Sequence, residues 1–122
     1  MLWIKLGQLF MFTGVALGAF GAHALKEKLS EYYLGVYQTG VLYQFIHALA
    51  LFVVAWLSTV SSDPKIAVAG SFLVAGIILF SGSLYVLALT QIRLFGAVTP
   101  LGGLSFLIGW GILFFSYYDK FK

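Results

Sequence analysis

The sequence predicts an all-α integral membrane protein, a four-helix bundle crossing the bilayer. Two compositional facts and one pattern carry that reading. The chain is 61% hydrophobic, with a mean hydropathy of +1.01. Only 9% of its 122 residues are Asp, Glu, Lys or Arg, against about 25% in soluble domains. Four apolar runs are each long enough for the ~20 residues of helix that a ~30 Å hydrocarbon core requires. A soluble chain of this size must cover its surface with polar groups, and seven basic and four acidic residues do not suffice. Lipid removes that requirement. The length fits a single domain, residues 1–122.

The first run extends from about Leu2 to Ala24, with Lys5 near its start. Residues 1–24 share features with a signal peptide: Lys5 as a positive start and Ala22-His23-Ala24 as a cleavage-like site. The apolar run from Leu6 is longer than a usual signal core, so a retained span is expected. The connector Lys26–Tyr33 carries Lys26, Glu27, Lys28 and Glu31 and reads as solvated or interfacial. The second run covers about Val36 to Ser58 and stops before Ser61-Ser62-Asp63-Pro64, a turn cluster whose proline cannot continue the helix. The third covers about Ile66 to Leu89, with Asp63 placed to cap it and Pro64 at its first position. Thr90 to Thr99 is a short, mostly apolar connector that either lies in the interface or dips back into the bundle. The fourth covers about Pro100 to Tyr118, with Thr99-Pro100 repeating the Asp63-Pro64 arrangement. No run holds a carboxylate in its central portion, as suits a lipid-facing bundle.

With four spans, both termini share a side with the Ser61–Lys65 loop. That side carries Lys5, Lys65, Lys120 and Lys122, and the other carries Lys26, Lys28 and Arg93. The small excess predicts cytoplasmic termini. Trp3, Trp56, Tyr117 and Tyr118 fall at one interface, and Tyr32, Tyr33 and Tyr85 near the other.

Helices in lipid are held by close packing and interhelical hydrogen bonds, which favours small residues at their contacts. Spacings alternating three and four give one such stripe per helix. The first is Gly7, Met11, Gly14, Gly18 and Gly21; the second Tyr37, Gly40, Gln44, His47 and Leu51. The third is Ser71, Ala75, Ile78, Gly82 and Tyr85; the fourth Gly102, Ser105, Gly109, Ile112 and Ser116. Packing is thus expected at Gly14, Gly18, Gly21, Gly82, Gly102 and Gly109. Gln44 and His47 share a face inside an apolar span, where unpaired polar groups cost kilocalories, so both should point inward. The first helix is their expected hydrogen-bond partner, since a short connector favours antiparallel packing.

Several function classes lose support here. The basic residues are scattered and form no stripe, so no nucleic-acid partner is expected. The absence of cysteine removes disulfides, thiolate metal sites and a cysteine nucleophile. His23, Glu27 and Glu31 are spaced by four and with His47 make a conceivable ligand set, but solvated charges flanking a span explain them better. No metal or other cofactor is expected. No Ser-His-acid set, phosphate loop or HExxH is present, so no enzyme activity is expected.

Four blocks carry a resemblance: Gly18-Ala19-Phe20-Gly21-Ala22-His23-Ala24-Leu25, the Tyr43 to Leu51 stretch, Phe80-Ser81-Gly82-Ser83-Leu84-Tyr85, and Gly96 to Gly103. In order and spacing the chain resembles the YgdD/YwdK-type small membrane proteins, domain of unknown function 423, over nearly its whole length. The resemblance implies a four-span protein of the bacterial cytoplasmic membrane and no particular activity. It marks His23, His47, Ser81, Gly82, Tyr85, Thr99 and Pro100 as matching the family pattern. The expected function is non-catalytic, through protein or lipid contacts in the bilayer, with a homo-oligomer or another membrane protein as partner. The alternative is small-solute or ion permeation by several copies. The polar intramembrane candidates for either are Gln44, His47, His23 and Thr99.

Overall fold

A computed structural model describes residues 1–121; Lys122, one of the lysines assigned above to the terminal side, lies outside them. The fold is all-α. Its helices are α1 (Leu2–Phe20), α2 (Glu31–Val60), α3 (Lys65–Gly76), α4 (Gly82–Thr90) and α5 (Thr99–Phe115). Wider π turns at Gly21–Leu25 and Ile77–Ser81 extend α1 and join α3 to α4. The result is four helical spans long and apolar enough to cross a membrane: Leu2–Leu25, Glu31–Val60, Lys65–Thr90 and Arg93–Phe115.

Local chemistry sets the breaks. α2 starts at Glu31, earlier than the expected Val36, because the Ser30 side chain accepts from Tyr33 N and caps it. Charged residues at the start of a long helix extend it into the headgroup region without cost to the apolar span. Asp63 Oδ1 accepts from Lys65 N at 2.9 Å, at the start of α3. The third span ends where Gln91 takes a left-handed conformation, φ 59°, and its N–H bonds Leu87 O. A tight turn over Arg93–Ala97 then leads into α5. Thr99 is no cap, contrary to the sequence reading, because its hydroxyl faces Ser83 Oγ at 2.6 Å.

α1 packs on α2, the third span packs on the second, and α5 packs chiefly on α3. The main core gathers Leu51, Val54, Ile66, Leu73, Ile77, Phe106 and Leu113, and a smaller one gathers Leu25, Tyr37 and Ala88. Phe12, Leu107 and Phe114 are 76, 71 and 80% exposed, an exposure that water penalises and lipid does not.

The terminal end is tied by polar bonds. Ser61 Oγ donates to Tyr117 O, Tyr117 N donates to Asp63 Oδ2, and Ser62 Oγ donates to Asp119 Oδ2. Lys120 Nζ reaches Thr59 O at 2.9 Å. The N–H groups of Tyr117 and Lys65 hold the Asp63 carboxyl below the usual carboxylate range.

Candidate functional site

The face of α2 that carries Tyr37, Gly40, Gln44, His47 and Leu51 is buried throughout. Glycine on the facing helix opens the way for its polar groups. Gly14 leaves Phe10 O uncovered, and Gln44 Nε2 donates to that carbonyl at 2.8 Å and to Thr13 Oγ1 at 2.9 Å. A Cβ on Gly14 would lie 2.9 Å from the Phe45 ring and 3.4 Å from Gln44 Nε2. From the other side, Tyr85 donates its phenolic proton to Gln44 Oε1. All three hydrogen bonds of Gln44 therefore leave its own helix, two toward the first span and one toward the third.

Gly21 and Gly40 do related work. A Cβ on Gly21 would lie 2.5 Å from the Tyr37 ring, which fills that space and donates from its hydroxyl to Leu17 O. A Cβ on Gly40 would lie 2.9 Å from the Tyr85 ring, and Gly40 O accepts from Ser81 Oγ at 2.7 Å. Ser105 Oγ donates to Phe72 O at 2.7 Å, joining the fourth span to the third.

His47 differs from its expectation. Its Nδ1 lies 2.8 Å from Tyr43 O, on its own helix, and its Nε2 lies 3.1 Å from Trp110 Nε1 in the fourth span. A carbonyl only accepts and an indole N–H only donates, so the neighbours assign the proton to Nδ1 and the acceptor role to Nε2. The ring also stacks on Phe106, with centroids 3.5 Å apart and planes at 11°. The first span supplies no hydrogen bond to His47 because that contact is taken by the Gln44 amide, while His47 is turned toward the fourth.

His23 stands exposed in the π turn that closes the first span. It lies beside Gly21, level with Tyr37, so His47 is ten residues further along α2, roughly 15 Å away at 1.5 Å per residue. The two histidines do not converge. Gly18 makes a looser approach, with Val41 3.4 Å from its Cβ position. Gly102 and Gly109 face the third span: a Cβ on Gly102 would fall on the Phe80 backbone nitrogen, and one on Gly109 would lie 2.8 Å from Leu73. Gly82 is a correction, since a Cβ there would meet nothing within 4 Å. The π turn at Ile77–Ser81 rotates the helix after it, and Ser81 takes the buried position instead. Ser71 and Ile78, from the same expected stripe, are exposed. Tyr85 is likewise no interfacial anchor but a partner of Gln44.

Sequence reasoning missed Thr13, Ser83 and Trp110. The available signal was position: a hydroxyl in mid-run, and a tryptophan away from either interface.

An apolar groove of about 560 Å³ opens between the second and fourth spans, lined by Leu42, Tyr43, Ile46, His47, Phe80, Gly103, Phe106, Leu107 and Trp110. Phe80 and Phe106 line the gap between α2 and α5, and the Tyr43 ring lies tilted at 38° to Phe80 with centroids 4.5 Å apart. No buried side-chain polar atom among the described residues lacks a hydrogen-bond partner.

Comparison with known proteins agrees with this architecture. The family described as Protein of unknown function (DUF423) matches residues 17–103. The UPF0382 membrane protein YwdK of Bacillus subtilis is 51% identical over 109 residues, covering 88% of this chain and 89% of that protein. A UPF0382 membrane protein of Staphylococcus haemolyticus is 48% identical over 115 residues, covering 94% and 93%. One from Staphylococcus epidermidis is 47% identical over 111 residues, covering 91% and 90%. No solved structure matches the chain. With relatives named membrane proteins and four helices able to span, the chain is a multi-pass membrane protein belonging to the DUF423 family.

Proposed function

We propose that the protein acts without covalent chemistry, through lipid or protein contacts inside the bilayer, and that the groove between the second and fourth spans makes that contact. One observation carries the reading. The polar groups of the seam are spent on one another, whereas the Tyr43 hydroxyl, on the groove wall, has no hydrogen-bond partner among the described residues. An apolar opening of this volume, aromatic-lined and with one free donor, suits an apolar chain or a side chain from a neighbouring helix.

Trp110 lines the groove and reports on it. In a Trp3→Phe, Trp56→Phe background, phospholipids brominated at mid-chain should quench Trp110. Gly103→Leu, which narrows the groove, should reduce the quenching. Cysteine at Leu107 should cross-link between copies if a second chain is the occupant. Quenching that ignores Gly103→Leu, with no cross-link, overturns the reading and leaves ordinary lipid contact.

The permeation alternative draws on Gln44, His47 and Thr99. Each already spends its polar atoms on neighbours within the chain, which favours the contact reading. A flux assay on reconstituted His47→Ala beside the parent separates the two: permeation requires a flux that the substitution removes.

A further inference from the structure

A second cavity lies at the end of the bundle away from the termini. It measures about 450 Å³ and is lined by Tyr32, Tyr33, Leu87, Arg93 and Gly96. Its wall mixes polar and apolar groups, unlike that of the groove. Tyr32 stands in the first turn of α2, and Arg93 stands just after the third span ends at Thr90. Both therefore sit at the membrane boundary, where the phosphates of lipids lie. The Tyr32 and Tyr33 rings meet edge to face, centroids 5.1 Å apart, and form one wall. Leu87 is buried at the cavity's inner side.

Arg93 is exposed and, among the described residues, has no carboxylate within ion-pair distance and no hydrogen-bond acceptor for its guanidinium. The left-handed Gln91 turns the chain just before it. The other charges at this end are Lys26, Glu27, Lys28 and Glu31, all exposed and none on the cavity wall. Glu31 adjoins Tyr32 in sequence. The guanidinium is the cavity's only charge. Its planar fork of donors matches the oxygens of a phosphate. Phenols suit the same depth, with an apolar ring below and a hydroxyl donor in the headgroup layer.

We propose that this cavity binds the phosphodiester of a membrane phospholipid. Arg93 holds the phosphate oxygens, the phenols of Tyr32 and Tyr33 close the rim, and Leu87 meets the first carbons of an acyl chain. The site is separate from the groove, and either can fail without the other.

The test uses the purified full chain in detergent, with dioleoylphosphatidylglycerol as probe. Native mass spectrometry should count one saturably retained lipid that depends on Arg93, and the thermal midpoint should rise with lipid. Dioleoylglycerol, with the same chains and no phosphate, should give a smaller effect that Arg93→Gln leaves unchanged. Arg93→Gln should weaken the lipid about tenfold, as expected for loss of one charged hydrogen-bonding group. Arg93→Lys should fall between, because it keeps the charge and loses the fork. Tyr32→Phe should weaken it less. Arg93 is exposed, so its variants should fold, and an unchanged midpoint without lipid checks this. Equal binding by Arg93→Gln, or an equal shift with dioleoylglycerol, overturns the proposal. An equal midpoint shift with inorganic phosphate alone replaces the lipid with a free anion and overturns it too.

Discussion

Tyr85 donates its phenolic proton to Gln44 Oε1 across 2.5 Å, joining the third span to the second in the same group that ties the second to the first. A single amide thus links three of the four spans. Its two ends differ in what they can lose. The amide nitrogen has two acceptors, so losing one leaves another. The amide oxygen has one donor.

Removing either partner of that bond should destabilise the protein by more than the bond itself is worth, since the other is left unsatisfied in an apolar setting. A double-mutant cycle of Gln44→Leu and Tyr85→Phe isolates the pair. Its coupling is expected at about 0.6 to 1.7 kcal/mol, the range for interhelical hydrogen bonds in membranes. Chemical unfolding in mixed micelles measures it. Zero coupling would mean that the two side chains are held by packing alone.

Two glycines of the same family blocks should behave oppositely. Gly102→Ala sets a methyl on the Phe80 backbone and should cost about 1–3 kcal/mol or more, as overpacking does. Gly82→Ala meets open space and should gain up to about 1 kcal/mol from helix propensity. Thermal midpoints of the two variants beside the parent decide it. Equal losses at both positions would refute this account of the third and fourth spans.

The fold was legible because length and apolarity answer the same question in a bilayer. The inner face of α2 was legible because Gln44 and His47 mark it. The inner face of the third span was not. Its apolar residues lie on every side and its serines on both, Ser71 exposed and Ser81 and Ser83 buried, so polarity does not separate the lipid side from the protein side. The π turn at Ile77–Ser81 then shifts the register, which no three-and-four spacing anticipates. That displaced Gly82 from the interface and brought Ser81 into it. For His47 the sequence points to the first span, because a short connector makes that span the neighbour. Its actual donor, Trp110, is 63 positions away in sequence, and nothing local announces the pairing.

Asp63 gives a pH dependence with a definite sign. Its folded pKa is depressed, chiefly by the N–H of Tyr117 and then by that of Lys65. Its contribution is therefore fully present above the unfolded value, about 3.9, and is lost as pH falls below that value and through the folded one. The parent's midpoint advantage over Asp63→Asn should be constant near neutrality and shrink between about pH 4 and more acid conditions. An advantage that does not change with pH would assign the clasp to Ser61 and Ser62 instead.

Gln91 occupies a left-handed position that glycine tolerates better. Gln91→Gly should raise stability by about 1 kcal/mol or less, with no change in lipid retention at the neighbouring cavity. A loss of stability would show that the Gln91 side chain does more than turn the chain.

Reporter fusions after Lys120 and within Glu27–Glu31 should give opposite signals, since the two points lie at opposite ends of the spans. Equal signals would contradict four crossings.

The packing of spans on their predecessors bears on how the molecule is made. The first span finds its main surface on the second, the second on the third, and the fourth on the third. A chain emerging from a ribosome into the membrane can pack each of the first three spans on a neighbour before the last is made. Two acceptors on α2 wait longer: Gln44 Oε1 until Tyr85 has entered the bilayer, and His47 Nε2 until Trp110 has. Until then the first two spans form a hairpin with two unclaimed acceptors, and the third span closes the first of them and the fourth the second.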